Sequence, residues 1–367
     1  MDTEHWLTLA RAPGLHGDHL RDHGGLLADP TLLVGQSTQD LQALGLPTAA
    51  ANWLAAPDSS RIAADRSWLE RSSTRLVSWG TPDYPPLLSQ IPSAPLVLFV
   101  RGATDGLLCL QLAMVGSRNP TASGRRDAYA FAAALAGHGL VITSGLALGI
   151  DTACHRGALS AGRTIAVLGT GLDQIYPAEN SDLAEAILAR GGALVSEFPP
   201  ETRPLPYNFP RRNRLISGLA VGTLVVEAAR SSGSLITARL AGAQGREVFA
   251  LPGSIHNPLS RGCHQLIRAG AQLVETADDV LSQLRIPYVI PTVTDQHRPG
   301  EAAGDDGRLL DKDYKILLDA LGFEPTSIDA LVERTGLSSQ SLASMLLILE
   351  LEGVVGLHSG NRYARLN

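Results

Sequence analysis

Lysine is almost missing from this chain of 367 residues: the only two are Lys312 and Lys315, so before residue 312 every basic side chain, histidine aside, is arginine. That scarcity excludes two kinds of chemistry from most of the sequence. A phosphate loop of the Walker type needs a lysine on the phosphates, and a Schiff-base or pyridoxal enzyme needs one as its nucleophile. Cysteine is scarce too. Cys109, Cys154 and Cys263 are too few and too scattered for a disulfide framework. Cys154-His155 and Cys263-His264 are adjacent pairs, which lack the ligand spacing of a zinc site. No apolar run approaches the length of a bilayer span. The start, Met1-Asp2-Thr3-Glu4-His5-Trp6, has neither the basic nor the long apolar region of a signal peptide. The expectation is a cytoplasmic protein that uses no membrane, no metal and no other cofactor.

The dinucleotide fingerprint is also missing. No G-x-G-x-x-G follows the first strand of the α/β region. Gly169-Thr170-Gly171 carries only part of it, and the second strand ends in Ser144-Gly145 rather than in an acid for a ribose hydroxyl. NAD binding is disfavoured.

What is present has the composition of a folded protein, 44% hydrophobic and 18% charged. The net charge of −6 rules out a basic field over the whole surface, so a polyanion would have to meet a local patch. Residues 1–65 show helical periodicity broken at Pro13-Gly14 and Gly45-Leu46-Pro47. They read as a small helical domain resembling a helix-hairpin-helix or sterile-alpha-motif unit, with docking and DNA contact both open as its role. Residues 66–285 form the main domain. From about 105, short apolar strands alternate with helices: 112–115, 140–143, 164–168, 193–195, 223–226 and 247–250. Strands without polar alternation are buried on both faces, which predicts a Rossmann-like, doubly wound, mostly parallel sheet in an α/β fold. Residues 286–308, rich in Pro, Gly and Asp, read as a linker. Residues 309–367 give helices near 314–321, 327–332 and 339–352 and then a hairpin with Gly360-Asn361 at its tip, a winged-helix pattern. Its third helix, 339–352, carries no Lys or Arg, which favours contact with protein over reading of duplex DNA.

Ligands of open parallel sheets bind beyond the carboxyl ends of the strands. At the first such end stand Gly116, Ser117 and Arg118, small residues and one planar cation ahead of a helix N-terminus. Ser232, Gly233 and Ser234 form a second hydroxyl-rich turn after a strand. The densest basic stretch is Phe209-Pro210-Arg211-Arg212-Asn213-Arg214, and residues 199–246 hold seven arginines against two acids. Tyr207 and Phe209 flank it. Charge that tracks a backbone, with rings that stack on bases, is what a single nucleic-acid strand requires. Glu227, Asp173 and Asp151 also fall at strand ends, where capping or orienting an arginine is the plainer role and acid–base chemistry the sharper one.

These segments resemble the DprA/Smf (DNA-processing protein A) family in order and spacing. The resemblance rests on Val115-Gly116-Ser117-Arg118, on Ser144-Gly145-Leu146-Ala147 with Gly149-Ile150-Asp151 and His155, and on Gly171-Leu172-Asp173 with Tyr176-Pro177 and Asn180. It continues through Phe209-Pro210 with Arg212-Asn213-Arg214, Ser232 to Ala238, and Pro252-Gly253. It implies a homodimer built through the Rossmann-like domain that binds single-stranded DNA, protects it during natural transformation and loads the RecA recombinase for homologous recombination, without catalysis. It places the DNA pocket on Arg118, on Phe209 to Arg214, on Gly145 and on the Ser232–Ser234 turn. Leu148 stands where the family often has an arginine. The alternative is a nucleotide-processing enzyme that hydrolyses glycosidic bonds on a related fold, with Arg118 and Glu227 at its centre.

Overall fold

The computed structural model describes residues 3–21, 29–284, 312–322, 324–351, 354–358, 360 and 362–365. The predicted linker lies outside the described residues. The chain divides into two compact units, 1–291 and 292–367.

The first unit opens with five helices, α1 (Thr3–Arg11), α2 (Asp18–Arg21), α3 (Thr38–Ala43), α4 (Thr48–Ala55) and α5 (Ser59–Ser72). Gly14 and Gly45 sit in the predicted breaks with φ of 76°, a left-handed conformation that glycine adopts without a steric penalty. The expected domain limit after residue 65 falls inside α5. These helices do not hold a core of their own: Trp6, Leu9 and Leu54 share one apolar cluster with Val77 and Leu98 of the sheet.

The sheet has nine strands: β1 (Thr74–Ser78), β2 (Val97–Gly102), β3 (Gln111–Val115), β4 (Val141–Ser144), β5 (Thr164–Val167), β6 (Ala193–Ser196), β7 (Gly222–Val225), β8 (Glu247–Ala250) and β9 (Gln272–Leu273). Their order is β1-β2-β6-β5-β4-β3-β7-β8-β9, parallel from β6 to β9 and antiparallel at β1–β2 and β2–β6. The six predicted strands are β3 to β8, each within a residue or so of its expected limits. β1, β2 and β9 extend the sheet beyond them.

Between the strands run α6 (Pro86–Ser89), α7 (Ala122–Gly137), α8 (Ile150–Ala161), α9 (Ser181–Ala189), α10 (Asn208–Leu219), α11 (Ser234–Ala243) and α12 (Arg261–Arg268), and α13 (Ala277–Gln283) follows β9. Alternate residues of β3 serve opposite faces, as strand geometry demands. Leu112 and Met114 pack with Ala128, Phe131 and Cys154 of α7 and α8. Ala113 and Val115 pack with Leu215, Ile216 and Leu235 of α10 and α11. Order reverses at β3, whose neighbours are β4 and β7. A crevice therefore opens past the ends of β3 and β7, where crossovers leave in opposite directions.

The second unit contains α14 (Lys312–Leu321), α15 (Ile328–Thr335), α16 (Ser339–Leu351) and a sheet ordered β10-β12-β11 from β10 (Thr326–Ser327), β11 (Val355–His358) and β12 (Arg362–Arg365). Leu317, Leu331, Leu346 and Val355 are in its core. Ser338 accepts from the Ser341 amide, capping α16. This is the predicted winged helix, and α16 presents Leu347 and Ile348 to solvent.

Candidate functional site

A cavity of about 650 Å³ occupies the crevice. Its floor is Val115 to Arg118 at the end of β3, and one wall is the turn Ala229 to Ser234 leading from β7 into α11. The other wall is the first turn of α10, with Phe209, Arg212 and Asn213, and Tyr176 closes the rim. Nine of the twelve predicted residues line it: Gly116, Ser117, Arg118, Phe209, Arg212, Asn213, Ser232, Gly233 and Ser234. Gly145, Arg211 and Arg214 do not.

The floor is held close to the rest of the sheet. A Cβ on Gly149 would lie 2.4 Å from the Ser117 carbonyl oxygen, and Gly149 also has φ of 84°. Any side chain there would displace the loop that carries Arg118. The Ser117 amide donates to the Glu227 carbonyl at 2.7 Å. Arg118 projects from this anchored turn, is exposed, and forms no ion pair with any described residue. Its guanidinium carbon lies 5.9 Å from the Phe209 ring centroid. Phe209 in turn meets Tyr176, with ring centroids 5.5 Å apart at 43°. The aromatic partner of Phe209 is thus Tyr176, and Tyr207 stands outside the cavity, 68% exposed. On the facing wall the Ser232 and Ser234 hydroxyls are 2.6 Å apart at the start of α11, whose positive dipole end favours an anion.

The arginine cluster separates into two roles. Arg211 and Arg214 turn away from the cavity to Glu197, whose carboxylate is buried at the end of β6. Arg214 reaches it at 2.8 and 2.6 Å and Arg211 at 3.2 Å, with Arg211 stacked 5.3 Å from the Phe198 ring centroid. Arg212 points inward. It is 5% exposed and donates from one nitrogen to the carbonyls of Gly145, at 2.7 Å, and Val167. Gly145 thus lies behind Arg212 rather than on the cavity surface; a Cβ there would sit 2.5 Å from the guanidinium. Burial pulls the Arg212 pKa down to about 10, against the support of the Asp151 charge.

The three strand-end acids are all engaged with the chain. Glu227 accepts from the Thr121 amide at 2.9 Å and hydroxyl at 2.6 Å, at the start of α7. Asp151 accepts from the amides of Gly145 and Ala147 at 3.1 and 3.3 Å, and burial raises its pKa. Asp173 accepts from the Glu201 amide at 2.9 Å. Among the described residues no cluster of three or more His, Cys, Asp and Glu side chains is placed to hold a metal. No described helix is long and apolar enough to cross a membrane.

His155, beneath the site, is fully buried. Thr164 donates its hydroxyl to the Ile142 carbonyl at 2.5 Å, so the imidazole Nδ1–H donates to that hydroxyl at 2.7 Å. Burial, and then the Arg212 charge, depress its pKa from 6.5 to about 3. Between those values the unfolded chain binds a proton that the folded one refuses. The stability this contributes is present above pH 6.5 and is lost as pH falls toward 3. Urea denaturation of wild type should therefore weaken by about 1.4 kcal/mol per pH unit more steeply in that window than His155→Gln. Parallel pH profiles for the two proteins would rule this out.

Fold and cavity together define a class: a Rossmann-like α/β protein with an appended winged helix, whose strand-end site suits an anion with aromatic faces. The family model for DNA recombination-mediator protein A matches residues 75–285, and that for the DprA winged helix domain matches 301–361. Protein Smf of Escherichia coli K12 is 41% identical over 368 residues, covering 100% of this chain and 96% of the relative. DNA processing protein DprA of Streptococcus pneumoniae R6 is 48% identical, covering 54% of this chain and 71% of its own length. A solved structure of the protein from Streptococcus pneumoniae superposes with a TM-score of 0.67 at 37% identity, over 77% of this chain and 98% of that one. A second structure, of DNA processing protein A from Helicobacter pylori, described for its single-stranded DNA binding mode, gives 0.53 at 29% identity, over 59% and 97%. The chain belongs to the DNA recombination-mediator protein A family, also called DprA or Smf.

Proposed function

We propose that this chain binds single-stranded DNA in the strand-end cavity, protects it, and hands it to a RecA recombinase, acting as a cytoplasmic homodimer without covalent catalysis. The observation that carries the DNA reading is the Arg118–Phe209–Tyr176 group: a cation without an acidic partner beside two rings that meet each other, on the floor and rim of one cavity. Such a group can take a phosphate and the face of a base at once. The Helicobacter pylori neighbour, whose description names single-stranded DNA, supports the same ligand. RecA loading, dimerisation and compartment rest on family membership. The glycosidase alternative needs a free carboxylate opposite Arg118, and Glu227 is instead bonded to Thr121.

Fluorescence anisotropy of a labelled oligonucleotide tests the reading. Single strands should bind with little sequence preference, and a duplex of equal length more weakly because its bases cannot stack on the rings. Log affinity should fall with log salt by about 0.7 per phosphate neutralised. Equal affinity for both forms of DNA would count against the cavity, and release of free base from a nucleoside monophosphate would restore the enzyme.

A further inference from the structure

We propose a second segment of the site: a groove on α7 and α8 that receives the phosphodiester backbone of the same strand where it leaves the cavity. This deepens the single-strand reading and rests on it. The groove encloses about 690 Å³ and shares Arg118 with the cavity, so the two meet at that side chain. Its other cations are Arg125 and Arg126, from the first turns of α7, and Arg156 of α8.

The helices bring these residues together through one close approach. A Cβ on Gly157 would lie 2.2 Å from the Tyr129 carbonyl oxygen, so α8 rests directly on α7. Tyr129, 44% exposed, and Leu148, 42% exposed, give the groove apolar faces.

Its electrostatics are those of a local basic patch. Several arginines elsewhere are matched with acids: Arg11 with Asp65, Arg66 with Glu4, Arg101 with Glu185, Arg163 with Asp105, and Arg211 and Arg214 with Glu197. None of Arg118, Arg125, Arg126 and Arg156 forms an ion pair with a described residue, and all four are exposed. Glu179 is the single acid on the lining. Four cations against one acid, in a chain of net charge −6, is a local reversal of sign. Like charges gathered in excess of their counter-charges, here Glu179 on the lining and Asp127 beside Arg126, repel one another, and a polyanion threaded past them relieves that repulsion. Continuity with the base-stacking cavity selects a nucleic-acid strand as that polyanion, and the exposed ring of Tyr129 suits it.

The test compares oligo(dT) of about 4 nucleotides, enough for the cavity, with about 16 nucleotides, long enough to enter the groove. The protein is the full chain, wild type and with Arg125→Ala, Arg126→Ala and Arg156→Ala combined. Exposed side chains away from structural networks change stability little when truncated, and matching thermal denaturation checks this. In the triple variant the longer strand should lose roughly 10- to 100-fold in affinity, and its salt slope should become shallower by about 2, three contacts at about 0.7 each. The shorter strand should bind as before. Unchanged slope and affinity for the longer strand overturn the groove and leave the cavity standing, as does an equal loss at both lengths. Failure of wild type to bind either strand overturns the cavity reading and the groove with it.

Discussion

Arg118→Ala combined with Phe209→Ala should weaken single-strand binding by roughly 100- to 1,000-fold. A stacked base is worth about 1–3 kcal/mol, and a charge-assisted hydrogen bond to phosphate about 1.5–3 kcal/mol. Lost independently these would amount to about two to four factors of ten at about 1.4 kcal/mol each. The two side chains should not act independently. Arg118 lies 5.9 Å from the Phe209 ring centroid, so removing the ring also loosens the cation. The single variants should therefore sum to more than the double. The fold should tolerate the change, because Arg118 is exposed and Phe209 is half-buried with its ring over Gly169. Anisotropy titration of the three variants and wild type measures the effect. Wild-type affinity in the double variant would remove this cavity from consideration as the DNA site.

The cavity was legible because its location follows from topology. An apolar strand without alternation must lie in a covered parallel sheet, and its carboxyl end must then face the crevice. Val115 to Arg118 and the Ser232–Ser234 turn are each expected at a strand end from that argument, and they line the same cavity. The arginine cluster was less legible, for a geometric reason. Counting charge along 199–246 treats Arg211, Arg212 and Arg214 as one patch. The segment is a helix, α10, with Pro210 tolerated in its first turn, where no intrahelical amide bond is needed. Residues three apart share a helix face, so Arg211 and Arg214 go together to Glu197 while Arg212 turns into the core. The acid that claims them is 14 and 17 residues away in sequence, beyond the reach of a local pattern.

The antiparallel strands β1 and β2 are hard to read in the sequence for a related reason. Their burial follows from the N-terminal helices packed against them, which a short apolar stretch does not announce. No linear cluster marks the groove arginines: Arg125 and Arg126 sit on one helix and Arg156 on the next. Only the packing of α7 on α8 makes them neighbours.

Arg212→Ala should destabilise the first unit by about 3–5 kcal/mol, the second large effect expected of this site. The guanidinium is buried and bridges the ends of β4 and β5, holding the Gly145 and Val167 carbonyls. Its removal leaves both acceptors short of a donor, each worth about 1–3 kcal/mol when buried. It also removes the positive charge that offsets part of the burial penalty on the Asp151 carboxylate. Arg212→Lys should recover only part of the loss, since an ammonium lacks the planar fork. Urea denaturation reads the effect directly, and it separates structure from recognition. Loss of DNA binding in Arg212→Ala should accompany the loss of fold, whereas Arg118→Ala should lose binding with its denaturation midpoint unchanged. An Arg212→Ala protein that unfolds at the wild-type midpoint and no longer binds DNA would show instead that this guanidinium serves the ligand. The cavity would then have a second cation, and the strand-end carbonyls would be satisfied in another way.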